Sequence, residues 1–256
     1  MKYRLTLMKI GIKNGFASKS ALVFWLFSAL ISFIVQYFLW KAVLIGRPNA
    51  VFRQTVSYLL LMQLLTILFP KSSYTLNDKV RSGDIALDLL KPLAVRTQLL
   101  WESLGYSIAK FLVIGLVILV LYFWLLNFQV SLSAILMVVV AGCLAYFLYF
   151  ELELILGTFS FYTYSIWGIS TFKEAVLLVL AGNVFPANFY PDALKTLSSY
   201  LPFQYSFGAV GMLAETPSWS FFSQVVLIQI LYLLLFSFVY KYLFKHAVTK
   251  TVVQGG

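Results

Sequence analysis

Charge is what this chain has least of. Only 11% of its 256 residues are charged, whereas soluble domains carry about 25%. Acids are rarest, with nine Asp and Glu in all, and there is one histidine and one cysteine. A lone cysteine rules out an intrachain disulfide, and Cys143, inside an apolar run, reads as core packing. A lone histidine, His246, stands in a basic tail and reads as a solvated interfacial residue, so neither a His-built metal cluster nor a Ser-His-Asp arrangement can be assembled. No G-x-x-x-x-G-K-[ST] run occurs, which excludes nucleotide binding by that device. No internal duplication of the kind that marks many secondary carriers is visible.

What is present is apolar surface. The chain is 61% hydrophobic with a mean hydropathy of +0.90, the composition of an all-α integral membrane protein. A hydrocarbon core about 30 Å thick needs roughly 20 apolar residues at about 1.5 Å rise each. Six runs are read as transmembrane helices, at 20–40, 55–69, 110–126, 135–157, 165–185 and 224–244. They are continuously apolar, whereas barrel strands alternate over about ten residues. The first is too long for a removable signal peptide and is read as a signal-anchor.

Lys and Arg set the orientation. Lys2, Arg4, Lys9, Lys13 and Lys19, then Lys71, Lys79, Arg81, Lys91 and Arg96, then Lys241, Lys245 and Lys250 all fall on one side of a six-span chain. By the positive-inside rule that side is cytoplasmic, with both termini inside. The stretch 41–54 breaks the rule, because Lys41, Arg47 and Arg53 stand outside. Thirteen cations against three decide the orientation. The net charge of +10 is thus chiefly a topology signal, with the anionic bilayer surface as partner and no nucleic acid. Trp40, Trp101, Trp124 and Trp219 fall near predicted membrane edges, as belt residues do.

Three segments interrupt this pattern within a single transmembrane domain, 1–256. In 1–19, Leu5, Met8, Ile12 and Phe16 share a sector beside Lys2, Lys9 and Lys13, the layout of an interfacial elbow helix. A frayed basic tail is the plainer alternative, since Gly11 and Gly15 each weaken a helix by about 1 kcal/mol. In the charged insert 71–102, Leu76 and Val80 share a helical face, Ser82 to Asp84 make a turn with Asp84 as cap, Pro92 stops a second helix, and a third begins at Ala94. Such a bracket of short helices suits docking, although a simple connector would have the same spacing. In 185–218, Pro186, Pro191 and Pro202 are breakers. Pro191 and Asp192 open a short helix whose stripe of Ala193, Leu194, Leu197 and Leu201 is expected to dip back as a re-entrant hairpin.

Ionisable residues inside the spans are the usual markers of a path. Glu151 and Glu153 point about 200° apart on a helix, so one is expected to face the bundle and the other the cytoplasmic interface. Lys110, Lys173 and Glu174 are read as snorkelling to head groups. Tyr162 and Tyr164, in the aromatic turn 161–167, join the two glutamates as possible path or inner-gate residues.

The order of these features, with Arg81, Gly83, Asp84, Leu87, Leu89, Leu90, Lys91 and Pro92 in the insert and FPANFYPDALKTLSSYLPF before the last span, resembles the ABC type-two permease family over essentially the whole chain. The resemblance implies a non-catalytic exporter subunit with cytoplasmic coupling helices. Its ATPase-facing surface would comprise Lys9, Lys13, Lys79, Arg81, Gly83, Asp84, Asp88 and Lys91. It further implies separate ATPase subunits that bind Mg-ATP, a second and related permease chain, a bacterial cell membrane, and a hydrophobic or amphipathic cargo such as a drug, peptide or lipid. A secondary carrier independent of any ATPase and a membrane-embedded lipid-modifying enzyme remain as alternatives.

Overall fold

A computed structural model describes residues 2–17, 19–125 and 131–249. Leu126, the expected end of the third span, and Lys250 of the tail lie outside the described residues. Thirteen α-helices follow in order: α1 (Lys2–Phe16), α2 (Lys19–Val43), α3 (Asn49–Leu68), α4 (Ser72–Ser82), α5 (Asp84–Leu90), α6 (Val95–Lys110), α7 (Leu116–Leu125), α8 (Leu132–Thr158), α9 (Trp167–Leu180), α10 (Asp192–Ser199), α11 (Pro202–Ser206), α12 (Gly208–Glu215) and α13 (Trp219–Val248). No strand occurs among the described residues.

Among the described residues, five helical stretches are long and apolar enough to cross a membrane: Ser20–Val43, Asn49–Ser82, Val95–Trp124, Leu132–Phe161 and Trp219–Val248. The run expected as a sixth, 165–185, forms only the 14 residues of α9. At about 1.5 Å per residue that is near 21 Å, short of the roughly 30 Å core. Gly182, at φ +75, ends the run in a left-handed turn that Tyr58 pins by donating to the Gly182 carbonyl at 2.7 Å.

Two other spans are longer than their apolar runs. α3 begins at Asn49, since Arg53 and Gln54 project outward from its first turns, so the loop expected over 41–54 shrinks to a tight turn after Val43 with Gly46 at φ +82. The third span starts fifteen residues before Lys110, at Val95, and passes from α6 into α7 through a π-helical turn, Phe111–Gly115. Insertion of a residue into an α-helix produces such a turn, and it is common where helices do work.

The main core joins α3, α8 and α12. Leu60, Met62, Ala141, Ala145, Val210 and Leu213 are buried in it, and Gly211 fits against the Tyr58 ring. Gln229 ties α13 to this core by donating to the carbonyls of Ala141 and Tyr205, at 3.0 and 2.8 Å. α2 and α13 lie outermost, with Phe24, Phe38 and Phe238 exposed by 73%, 61% and 69%. That much outward apolar surface suits lipid or another transmembrane chain rather than water.

Several expectations need correcting. Trp40 is not a belt residue, because it is buried against Phe185 and Phe189; Trp124 and Trp219 are exposed, as a belt requires. Cys143 is exposed on the side of α8 rather than packed in the core. Pro191 precedes α10 as its N-cap instead of taking the first turn, with Asp192 inside that turn. The α10 stripe is outward-facing, Leu197 being exposed, whereas Pro186 and most of α12 are buried. Pro202 opens α11 from within its first turn.

Candidate functional site at the charged end of the bundle

α1 folds onto α6 through its glycines. A Cβ on Gly11 would lie 2.0 Å from the Glu102 carbonyl oxygen, and one on Gly105 would lie 2.0 Å from that of Met8. Gly15 meets Ala109 in the same way one turn further along. Small residues four apart on both helices let the α1 and α6 backbones touch, as small-x-x-x-small pairs do between membrane helices. Gly11 and Gly15 therefore form the packing face, while Lys9 and Lys13 remain exposed beside it. The frayed-tail alternative does not describe this helix, which is continuous over Lys2–Phe16.

α4 and α5 form a bent arm on the same end. Gly83, at φ +82, is the left-handed turn between them, a conformation that costs an L-residue about 1–2 kcal/mol. Asp84 is not the cap expected of it. It is the first residue of α5, with no side-chain cap, and accepts from Ser82 Oγ at 2.7 Å. Leu76 and Ile85 bury the inner faces of the arm among Val95, Leu99, Phe150, Leu154 and Tyr240. That cluster joins α4, α5, α6, α8 and the last turns of α13.

Asp88 locks the arm to α6. Its carboxylate, only 4% exposed, accepts from Lys79 Nζ at 2.7 Å and Lys91 Nζ at 2.5 Å. Its backbone carbonyl accepts from Gln98 Nε2 at 2.9 Å, and Lys79 also reaches Glu102 at 3.7 Å. Burial alone would raise the Asp88 carboxyl, but the two ammonium groups outweigh it and hold it below its ordinary range. Asp88 is thus a buried strut rather than a docking contact. The groups facing outward are Arg81, Gly83, Asp84 and Lys91, together with Leu87 and Leu90, which are 62% and 83% exposed. Those two leucines entered the sequence reading only as a motif; their outward direction is set by Ile85 pointing the other way.

Arg81 also reaches the turn after α8, donating to Tyr164 Oη at 2.9 Å with its guanidinium 4.2 Å from the ring centroid. Tyr162 is exposed in the same turn. Glu151 and Glu153 leave α8 in different directions, as their spacing required, but neither reaches an interface. Glu151 is buried in an ion pair with Arg96 of α6, and Glu153 in one with Lys173 of α9. Glu153 accepts in addition from Ser73 N and Oγ at 3.1 and 2.6 Å. Lys173 is therefore no snorkelling residue: it is 5% exposed, with Tyr149 Oη and Glu174 each 3.0 Å away. Lys110 is held by aromatic faces, 4.8 Å from the Tyr106 ring and 5.3 Å from that of Trp25. His246 lies against Tyr242, with ring centroids 4.4 Å apart and the planes tilted by 44°, and is exposed. No group of three or more metal-ligating residues stands together among the described residues.

A set of short helices thus gathers at one end of an all-helical, apolar bundle with several helices long enough to cross a membrane. The family model for ABC-2 family transporter proteins matches residues 47–255. The chain belongs to that family: it is a membrane permease subunit of an ABC transporter, and subunits of this kind work with an ABC ATPase. No curated protein matches the chain.

Proposed function

We propose that this permease forms half of the translocation path of an exporter, and that the end bearing α1, α4 and α5 is where the ATPase docks. The observation that carries the proposal is the pair Leu87 and Leu90, exposed on an arm whose other face is buried and locked by Asp88. Exposed leucines on an end of the bundle that also exposes Lys9, Lys13, Arg81 and Lys91 fit a partner groove with an apolar floor and an acidic rim. Mg-ATP is bound by that partner, and its closure pushes the arm between two states of differing affinity.

In this reading α9 is a short fifth crossing of six, α1 the interfacial elbow, and α10 to α12 the outer re-entrant hairpin. Both termini are cytoplasmic in a bacterial cell membrane, and a second, related permease supplies the other half of the path. The cargo is hydrophobic or amphipathic. A cavity of about 510 Å³ between α3, α6–α7 and α8, lined by side chains such as Leu64, Phe111, Val138 and Cys143, supports that class.

Affinity purification of the full chain in mild detergent, followed by mass spectrometry, tests the docking end. Wild type is expected to bring down an ATPase with a phosphate-binding loop. L87D/L90D is expected to lose it at least tenfold while unfolding within about 0.5 kcal/mol of wild type, as exposed substitutions do. Undiminished recovery with the variant removes α5 from the interface. Transport by the chain alone, without nucleotide, would favour the secondary-carrier reading.

A further inference from the structure

Three cations depart from the charge asymmetry of the sequence, and they meet in one place. Lys41, Arg47 and Arg53 line an open cavity of about 830 Å³ at the end of the bundle opposite the insert, between the α2–α3 turn and the end of α7. Tyr37, Phe52 and Trp124 wall it. Tyr37 and Phe52 stand edge to face with centroids 5.2 Å apart, so the wall is built before anything binds. We propose that this cavity binds an anionic phospholipid, its phosphate held by Lys41, Arg47 and Arg53 and its acyl chains lying along α2.

No acid of this chain neutralises the three. Among the described residues none of their side chains has an ion-pair or hydrogen-bond partner. The sequence has no Asp or Glu before Asp78, nor between Glu102 and Glu151, so every element lining the cavity is acid-free. α3 adds to the field, since it starts at Asn49 on the cavity rim without a side-chain cap and leaves the amides of Asn49 and Ala50 without a helical partner, the Val51 amide donating to the Pro48 carbonyl. Lys41 alone could be explained as a cation at the C-terminal end of α2, where the helix dipole favours it. That account does not extend to Arg47 and Arg53, in the turn and in the first turns of α3, where a dipole disfavours cations.

The apolar side of the site selects a lipid over a free anion. Phe38 and Ile45, on the cavity wall, are 61% and 81% exposed toward the side of the bundle, and Trp124 is 69% exposed. Acyl chains would cover these while an aromatic residue sits at headgroup level, as interfacial tryptophans do. Arg supplies the forked donor geometry that phosphate takes up best.

The full-length chain, purified in a neutral detergent, is titrated with phosphatidylglycerol and with phosphatidylcholine, and bound lipid is counted by native mass spectrometry. Wild type is expected to hold phosphatidylglycerol at least tenfold more tightly than phosphatidylcholine. K41Q/R47Q/R53Q is expected to lose that preference while keeping its phosphatidylcholine affinity and its unfolding temperature. R47K/R53K, which keeps the charge, is expected to retain most of it. An unchanged preference in the triple glutamine variant overturns the proposal. So does displacement of phosphatidylglycerol by millimolar inorganic phosphate, which would make the cavity a simple anion site.

Discussion

Replacing Lys173 by methionine strands the Glu153 carboxylate, and the structure sets how much that costs. Glu153 is fully buried, and its remaining partners are the amide and hydroxyl of Ser73. Removing one member of a buried ion pair typically costs about 3–5 kcal/mol, because the other is left charged in a poor solvent. The reverse change, E153Q, should cost less, about 1.5–3 kcal/mol, the worth of hydrogen bonds to a charged group. Lys173 would keep the Glu174 carboxylate and Tyr149 Oη, both at 3.0 Å. In the double variant no unpaired charge is buried, so most of the loss in K173M should return. Equilibrium unfolding of the four proteins in mixed micelles closes a double-mutant cycle. A K173M protein as stable as wild type, or one more stable than E153Q, would refute the claim that this pair holds α8 to α9 and α4.

Three further outcomes follow from named contacts. Gly105→Leu cannot be accommodated with Met8 O 2.0 Å from the new Cβ, so α1 should lift from α6 at a cost of about 1–3 kcal/mol, read as faster amide exchange confined to residues 2–16. Because Lys79 and Lys91 hold the Asp88 carboxyl below its usual range, their contribution is present above its unfolded-state pKa, near 3.8, and lost as pH falls through the lower folded value. Protection of residues 72–99 should therefore be level from neutral pH down to about 5 and fall at more acid pH, and D88N should abolish that fall. Deleting Val113 from the π-helical turn Phe111–Gly115 should restore regular α geometry with both flanking faces in register, leaving the protein folded but its partner's ATP hydrolysis uncoupled from transport; unchanged coupling would deny the turn a working role.

Five of the six expected spans were legible because apolar runs report burial in lipid whatever lies beside them, whereas the run 165–185 is cut to the 14 residues of α9. Their ends were less so: α3 and α6 extend into segments with Arg53, Gln54, Arg96 and Glu102, whose polarity hid the helix. The bracket between spans was readable at Gly83 and Pro92, where backbone geometry is forced by residue type. Its fastening was not, since Asp88 with Lys79, Glu151 with Arg96 and Glu153 with Lys173 depend on which helices meet. Gly11 and Gly15, judged as isolated residues, weaken a helix. The signal that they pack was the same four-residue spacing at Gly105 and Ala109, visible only when the two segments are compared.

If the ATPase docks on the arm as proposed, that fastening sets where its push would go. α5 is tied through Asp88 to Gln98, and α1 is seated on Glu102 and Gly105, so both press on the first three turns of α6. Arg96, in the first of those turns, holds Glu151, and Ser73, at the start of α4, holds Glu153. The two glutamates of α8 thus receive the arm from two sides, one through α6 and one through α4, and Lys173 passes the second contact on to α9. A flexible loop would dissipate a push at Leu87 and Leu90. An arm tied to α6 through the buried Asp88 carboxylate and to Glu153 through Ser73 would, on the proposed docking, move with α6, α8 and α9, and the irregular point in the third span where that movement would be taken up is the π-helical turn at Phe111–Gly115.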